Sequence, residues 1–435
     1  MEGLKQIFDH MFAQKVPKQI LKKSHYEVFQ KIVKNNEIED TLPAKDRLRQ
    51  LFGKNGQPFS NTIGAHPDFQ ELMENESKKQ YVCSLFLDIS GSTKLGLKFP
   101  LSTVRFYKNA ILKSAIEIFQ VFDGHIHRLQ GDAVFAYFGH KEMKKSDAII
   151  NALNAASLMQ SYNKYTLSEF FKENDLEPLR IRIGIDIGDD HQVLWSSYGI
   201  GSITEITSTS IHTDLAAKLQ AKAPKNSIVI GENVYSYIDL PDEFIKIKKI
   251  TKGGIQEEEK YILNDSNLKS YYQMRIFDWE TYLSSFSFLP KENNLIYKSP
   301  EDFEIICEVS EDVEHINPYK SNSRSIPKEA VIAFKLQLKK YLTVANLKPH
   351  RITWKVINRG KEAIEANSLE FFMTNEENEY VCKQSTLYNG HHYMECKFYD
   401  SQGNLIGKDK FSIYVNDEKN KMKNIGIEEE RVLNV

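Results

Sequence analysis

Apolar runs of strand length alternate with segments of helical periodicity between residues 81 and 265. The run YVCSLFLDI, residues 81–89, is almost continuously apolar, which is typical of a strand in the middle of a buried sheet. The next segment predicts an amphipathic helix, because its apolar residues recur every three or four positions on one face: Val104, Tyr107, Ile111, Ala115, Ile118 and Phe122. GHIHRLQGDAVFAYFG, residues 124–139, predicts a β-hairpin that turns at Gly131-Asp132.

The alternation continues through the rest of this region. A helix is predicted to begin near Ser146-Asp147, where a capping residue precedes apolar positions of helical spacing. Strands follow at LRIRIGIDIG (179–188), SIVIG (227–231) and KYIL (260–263), with a helix between the first two. Strands and helices that alternate around a hairpin predict an α+β unit over residues 81–265, in which helices cover a sheet.

The patterns change outside this unit. Residues 1–80 predict a helical N-terminal extension, and residues 266–325, aromatic and interrupted by prolines, predict an irregular connector. Residues 326–416 contain one alternating strand after another with turn residues between them, which predicts an all-β, antiparallel sandwich. Residues 417–435 predict a loosely held charged tail.

The composition narrows the class of protein. The chain has 435 residues, of which 41% are hydrophobic and 27% charged, as in ordinary globular proteins. A formal net charge of −2 argues against a dedicated nucleic-acid binder, and four scattered cysteines form neither a disulfide framework nor a zinc pattern. We find no secretory signal and no membrane-spanning run of about 18 apolar residues, so we expect a cytoplasmic protein without an integral membrane segment.

Two aspartates stand where structure alone gives little reason for them. Asp88 ends the buried strand, and Asp132 lies in the hairpin turn. If the two strands are neighbours, the carboxylates meet at one end of the sheet and suit two hard cations that bridge a triphosphate. Gly91, Ser92 and Thr93, read as opening the next helix, would offer backbone N–H groups to phosphate oxygens. The alternative is that Asp88 caps a helix and Asp132 is only a turn residue.

Three further sets of polar residues are candidates for ligand binding or catalysis. Asp214 and Lys218 are four residues apart on one predicted helix face, and the alternative for them is a surface ion pair. Arg128 and Glu205 are single charges in strand-like stretches, where solvated side chains are the commoner case. His125 and His127 are two positions apart in a predicted strand, so both side chains point to the same side, as two metal ligands would. No third metal ligand lies within sequence reach.

These motifs, in order along residues 81–265, resemble the landmarks of class III nucleotide cyclases: FLDISGSTKL, GHIHRLQGDAVFAYFG, RIRIGIDIG and SIHTDLAAKLQAKAPKNSIVIG. The resemblance implies a ferredoxin-like, palm-type sheet with helices. It implies that Asp88, Asp132 and the carbonyl of Ile89 hold two Mn²⁺ or Mg²⁺ ions, and that the active sites are shared in a head-to-tail homodimer.

The same resemblance assigns the remaining residues. Asp214 and Lys218 occupy the positions where this family carries the transition-state Asn and Arg, and Arg128 and Glu205 occupy those of the base-selecting pair. Purine cyclases of the family usually have Lys and Asp, or Glu and Cys, at the latter. The variant found here, followed by ITWKVINRGKEAI and LYNGHHYMECKFYD, is similar to the pyrimidine cyclases of Pycsar antiphage systems, with an AGS-C-type sensor domain at about 326–416.

The resemblance therefore implies a pyrimidine nucleotide cyclase that converts CTP or UTP to 3′,5′-cyclic CMP or cyclic UMP plus diphosphate. The product would be a second messenger in antiphage defence, to which a separate effector responds. Hydrogen bonding alone leaves the base open, because cytosine, uracil and guanine all offer groups to an arginine and a glutamate. Two alternatives stay open: a catalytically inactive nucleotide sensor, suggested by the Asp and Lys replacements, and a purine cyclase.

Overall fold

The computed structural model describes residues 44–265, 270–289, 293–311, 315–339, 349–373 and 379–425. Most of the predicted N-terminal extension, residues 1–43, lies outside these ranges. Its remainder, residues 44–80, is mainly turns, with one helix and one short strand. The prediction of a helical extension is therefore wrong for most of 44–80, where closely spaced Gly and Pro residues interrupt the backbone.

The described helices are short, apart from two that cover the main sheet. They are α1 (Ala44–Leu51), α2 (Leu95–Lys98), α3 (Leu101–Val121), α4 (Lys145–Tyr162), α5 (Ser168–Glu173), α6 (Ile211–Lys222), α7 (Glu232–Tyr237), α8 (Trp279–Ser284) and α9 (Lys361–Glu365). A π-helical turn at Asn163–Leu167 joins α4 to α5.

Thirteen described strands precede α8, and nine follow it. The first group is β1 (Ser77–Lys79), β2 (Val82–Ile89), β3 (His125–Gln130), β4 (Ala133–Phe138), β5 (Ile181–Gly188), β6 (Leu194–Ile200), β7 (Ile203–Thr209), β8 (Ser227–Gly231), β9 (Ile245–Lys246), β10 (Lys248–Lys252), β11 (Ile255–Glu259), β12 (Tyr261–Asp265) and β13 (Ser270–Phe277). The second group is β14 (Phe303–Ser310), β15 (Ile316–Tyr319), β16 (Ser325–Ile326), β17 (Val331–Leu338), β18 (Arg351–Ile357), β19 (Glu370–Phe372), β20 (Val381–Ser385), β21 (Gly390–Tyr399) and β22 (Leu405–Val415).

The main sheet has the strand order β12-β13-β8-β5-β2-β4-β3, with β9 paired to β13. All neighbours are antiparallel except β5 and β8. The apolar face of β2 and β5 joins one large core with α3 and α4. α6 packs on the opposite face, where Ser84 of β2 contacts Thr213 of α6. The predicted α+β unit is confirmed, with helices on both faces of the sheet.

Two smaller sheets accompany the main one. β1, β6 and β7 form a three-stranded antiparallel sheet, and β10 and β11 form a hairpin. Tyr137 of β4 and Trp195 of β6 share a separate apolar cluster, so the three-stranded sheet packs on the β4 side of the main sheet. This contact positions β7 beside β3.

The predicted C-terminal sandwich is present. One sheet has the order β15-β14-β17-β20 and the other β16-β22-β21-β18-β19. Apolar residues of both sheets form a single core between them, with the fully buried Trp354 among its members. Within the described residues no helix is long and apolar enough to cross a membrane. All four cysteines are buried thiols that take no part in a disulfide bond.

The predicted connector, residues 266–325, contains regular strands within its described part, so the prediction of an irregular segment is wrong there. β13 pairs with β8 in the main sheet, whereas β14 and β15 belong to the sandwich. The aromatic and polar residues that obscured the pattern alternate between the two faces of these strands, as in the half-buried SYYQMRIF of β13. The boundary between the two modules therefore lies near α8.

The first part of the predicted charged tail is packed against the main module. The Glu418 carboxylate accepts hydrogen bonds from the backbone N–H groups of Lys145 and Ser146, at 3.1 and 3.3 Å, and from the Tyr237 hydroxyl at 3.0 Å. Carboxylates are favoured at such a helix start, here that of α4. The prediction of a loose tail is therefore wrong for 417–425, and residues 426–435 lie outside the described ranges.

Substitution of Gly184 by Ala should separate α6 from the sheet. A Cβ at Gly184 would lie 2.2 Å from the Ala216 carbonyl oxygen and from the Gln220 amide nitrogen, both backbone atoms of α6. We expect Gly184→Ala to lower the free energy of unfolding by about 3 kcal/mol, as measured by urea denaturation. Gly96→Ala is the matched control, because its Cβ would meet nothing within 4 Å. Equal stabilities of the two variants would contradict this packing.

Candidate active site

The register of the main sheet brings Asp88 and Asp132 to the same end. Asp88 of β2 lies opposite Ala133 of β4, and Asp132 directly precedes Ala133 in the hairpin turn. Their side chains are 21% and 20% exposed, so both remain accessible from solvent. The predicted placement of the two carboxylates at one end of neighbouring strands agrees with the structure.

Each carboxylate already has a cationic neighbour. The Asp88 Oδ2 atom accepts hydrogen bonds from Arg182 of β5 and, at 3.3 Å, from the Gln220 side chain of α6. The Nζ atom of Lys108 lies 3.8 Å from Asp132 Oδ1. These contacts compensate the negative charge that the two carboxylates concentrate at this end of the sheet.

The oxygen atoms that Asp88, Asp132 and Ile89 offer at this end of the sheet suit hard divalent cations. Two carboxylates and the Ile89 carbonyl are oxygen donors of the kind that Mg²⁺ and Mn²⁺ prefer, with water and substrate phosphates completing the coordination. Among the described residues there is no group of three or more His, Cys, Asp or Glu side chains that could hold a metal ion. A metal here would therefore depend on backbone and substrate oxygens as well as on Asp88 and Asp132.

Gly91, Ser92 and Thr93 do not open the long helix, contrary to the prediction. Gly91 is left-handed, with φ of 77°, and a short 3₁₀ turn from Ser92 to Lys94 leads into α2. The long helix α3 begins only at Leu101. The residue that ends α2, Phe99, is followed by Pro100, which interrupts the helical backbone. Gly91 and Thr93 are exposed and Ser92 is half-buried, three to five residues after Asp88 in the chain.

Asp214 and Lys218 lie on the exposed side of α6. Ser210 caps this helix by accepting a hydrogen bond from the His212 amide at 3.2 Å. In the part of the chain that is described, neither Asp214 nor Lys218 forms an ion pair, with each other or with another residue. The alternative of a surface ion pair is therefore not what the structure contains, and both side chains are available to a ligand or a partner.

Arg128 and Glu205 are paired with each other. The Arg128 Nε atom donates to Glu205 Oε1 at 3.0 Å, and its Nη2 atom bonds Oε2, so the contact is bidentate. The side chains are 45% and 43% exposed. Charged pairs of this geometry hold one planar arrangement. β3 and β7 thus unite two residues that are 77 positions apart in sequence.

Asp186 is a buried acid that the sequence analysis did not single out. It is fully buried in β5, where Oδ2 bonds His212 Nδ1 at 2.9 Å and Oδ1 accepts from the Tyr272 hydroxyl at 2.8 Å. Burial raises the pKa of the Asp186 carboxyl. These bonds tie the start of α6 to β5 and β13. A charged residue within the apolar run IRIGIDIG was the available signal.

Loss of the side chain of Asp214 or of Lys218 should leave the fold intact. Because both are exposed and unpaired among the described residues, we expect Asp214→Ala and Lys218→Ala to change the free energy of unfolding by less than about 0.5 kcal/mol. Arg49→Ala is the contrasting variant. The Arg49 side chain is buried and donates to the carbonyls of Gly56 and Val121, so we expect a loss above about 2 kcal/mol. Urea denaturation compares the three.

Comparison with known proteins finds a family model for the C-terminal module. A family model described as "Adenylyl/Guanylyl and SMODS C-terminal sensor domain" (AGS_C) matches residues 277–416, a wider range than the predicted 326–416. Its start agrees with the module boundary near α8. The crystal structure of the adenylyl cyclase CyaB from P. aeruginosa aligns with 46% of this chain and 95% of that chain, at 19% sequence identity and a TM-score of 0.39.

Full-length relatives give the family. A curated Staphylococcus aureus protein named "Cytidylate cyclase" is 50% identical over 430 residues, which cover 97% of this chain and 99% of the relative. An Escherichia coli protein of the same name is 31% identical over 401 residues, or 85% of this chain and 87% of the relative. With this identity over both modules, the chain belongs to the cytidylate cyclase family.

Proposed function

We propose that this protein is a pyrimidine nucleotide cyclase that converts CTP to 3′,5′-cyclic CMP and diphosphate. The observation that carries the proposal is the 50% identity, along 97% of the chain, to a curated protein named cytidylate cyclase. The position of Asp88 and Asp132 at one end of neighbouring strands supports it. UTP is the alternative pyrimidine substrate. An inactive nucleotide sensor would have no need to keep both carboxylates accessible.

We propose that Asp88, Asp132 and the Ile89 carbonyl, at one end of the main sheet, would hold two Mn²⁺ or Mg²⁺ ions. When bound, these ions lower the pKa of the ribose 3′-hydroxyl and orient its attack on the α-phosphate. Backbone N–H groups of Gly91, Ser92 and Thr93 bind phosphate oxygens beside Asp88.

Two side chains on α6 are proposed to complete the chemistry. Lys218 neutralises the charge that develops on the phosphates as diphosphate leaves. Asp214 orients Lys218 or holds a ribose hydroxyl, since a further carboxylate near a triphosphate is otherwise unfavourable. Arg128 and Glu205 bind the base, for which their mutual ion pair has to open. Glu205 then accepts from the exocyclic amine of cytosine, and Arg128 donates to N3 or O2.

The active sites are proposed to be shared between two chains in a head-to-tail homodimer. Lys218 and Asp214 project into solvent from α6 and, within the described ranges, form no hydrogen bond or ion pair with Asp88 or Asp132. A second copy that supplies Lys218 and the base-binding pair would complete the site. We also propose that the protein acts in the cytoplasm, that its product is a second messenger in antiphage defence, and that a separate effector binds this product.

A substrate assay tests the proposed function directly. We expect the purified protein with Mn²⁺ to form cyclic CMP from CTP, and ATP and GTP to be poorer substrates. Asp88→Ala and Asp132→Ala should each lower kcat/KM for CTP by about a thousandfold, because metal activation contributes several kcal/mol. Glu71→Ala, at an exposed carboxylate, is the control. Cyclisation of ATP or GTP with CTP and UTP untouched would refute the pyrimidine assignment.

Complementation between variants tests the shared site. Asp88→Ala and Lys218→Ala chains should each be nearly inactive alone, because each lacks one half of every site. An equal mixture should recover about one quarter of wild-type activity, since half of the dimers are mixed and contain one intact site. Activity is measured as cyclic CMP formed after the two chains have exchanged. No recovery, with subunit exchange demonstrated by a tag on one chain, would place all catalytic residues within a single subunit.

A further inference from the structure

His127 is a buried histidine directly behind the base-binding pair. It lies on β3, and its side chain has no solvent exposure. The Nδ1 atom is 2.9 Å from the carbonyl oxygen of Gly64, in the segment that precedes β1. The Nε2 atom is buried without a hydrogen-bond partner and lies 3.4 Å from Glu205 Oε1.

The Gly64 contact determines which nitrogen carries the hydrogen. A carbonyl oxygen can only accept, so the Nδ1 atom of His127 must be the donor. In the neutral ring, Nε2 then has a lone pair that faces the negative Glu205 carboxylate. This explains why a buried polar atom lacks a partner. A proton on Nε2 would turn the same contact into a charge-assisted hydrogen bond.

The charged and titratable groups around His127 are few. Arg128 of β3 and Glu205 of β7 are the charged ones, and Tyr137 of β4 contacts the ring edge, with ring centroids 5.0 Å apart. The neighbouring His125 has both ring nitrogens occupied, by Ser60 and by Gly64. Burial lowers the pKa of His127 below 6.5, and Arg128 adds to this, while Gly64 and Glu205 act in the opposite direction.

We propose that His127 is a positioning residue for base selection, which, when protonated at Nε2, holds Glu205 Oε1 in place of Arg128. The proposal rests on the proposed function. Arg128 is then released toward N3 or O2 of the base, and Glu205 Oε2 is directed at the position of the exocyclic group. When the ring is neutral, Glu205 stays paired with Arg128 and the base-binding groups satisfy each other.

This arrangement distinguishes cytosine from uracil. A Glu205 held as a carboxylate can only accept, so it matches the N4 amine of cytosine and repels the O4 carbonyl of uracil. Without His127, the Glu205 side chain is free to turn toward the N3–H of uracil. Loss of this one charge-assisted hydrogen bond should change the affinity for CTP by about tenfold.

Two variants separate the charge from the shape of His127. His127→Phe keeps a planar ring against Tyr137 without a donor, and His127→Gln offers Glu205 a donor at every pH. We expect the wild-type KM for CTP to rise, by up to about tenfold, as the pH increases through the lowered pKa of His127 and the Nε2 proton is lost. His127→Phe should keep the high KM throughout, and His127→Gln the low one. At low pH, where the wild-type ring is protonated, preference for CTP over UTP should be lower in His127→Phe than in wild type or His127→Gln.

The controls make the result specific. Ionisation of CTP and of the metal-bound phosphates affects all variants alike, so only the difference between profiles is interpreted. His350→Gln, at an exposed histidine of the sandwich, should behave as wild type. A His127→Phe protein with the wild-type pH profile and the wild-type CTP preference overturns the proposal.

A measurement without substrate tests the hydrogen-bond pattern itself. In the full chain, ¹⁵N NMR should show His127 as the Nδ1–H tautomer when neutral, identified by the signal lost in His127→Gln. The Nε2–H tautomer would overturn the proposal. A protein that cyclises no nucleoside triphosphate but shows the Nδ1–H tautomer contradicts the proposed function and leaves the arrangement of His127 and Glu205 standing.

Discussion

The antiparallel register between β2 and β4 is the constraint on which the site depends. It sets Asp88 opposite Ala133, and the turn before Ala133 then places Asp132 at the same end of the sheet. A slip by one residue would turn the apolar face of β2 out of the core, at a cost that the fold cannot sustain. Core packing, rather than any attraction between the two carboxylates, therefore keeps both acidic side chains together.

A second set of buried contacts ties the sandwich to the main module. Asn154 of α4 donates to the Asn322 carbonyl at 2.9 Å, and the Asn322 side chain in turn contacts His391 of β21 at 3.0 Å. Glu418, which follows the last strand of the sandwich, accepts a hydrogen bond from the backbone N–H of Lys145 at the start of α4. Separation of the two modules would leave buried polar groups unsatisfied. The positions of the sandwich and of α4 are therefore coupled.

Much of the architecture could be predicted because its signals are local. The apolar run of β2, the helical spacing of α3 and the turn at Gly131-Asp132 each lie within a short segment, and all three agree with the structure. The connector was misassigned because β13 alternates aromatic with polar residues and lacks a continuous apolar run. The short helix after Thr93 was missed because helix starts are weakly marked when no capping side chain is present.

The order of strands and helices, the two modules and the residue types of the site follow from the sequence by itself, because periodicity and turn chemistry act over a few neighbouring residues. Contacts between distant segments were decided only by the tertiary structure. Asp186 meets His212, Glu205 meets Arg128, and His127 meets Gly64. Such pairs carry no local signal, since each depends on how whole strands pack. The sequence therefore determines the chemical type of each residue, whereas the fold determines which distant residue it contacts.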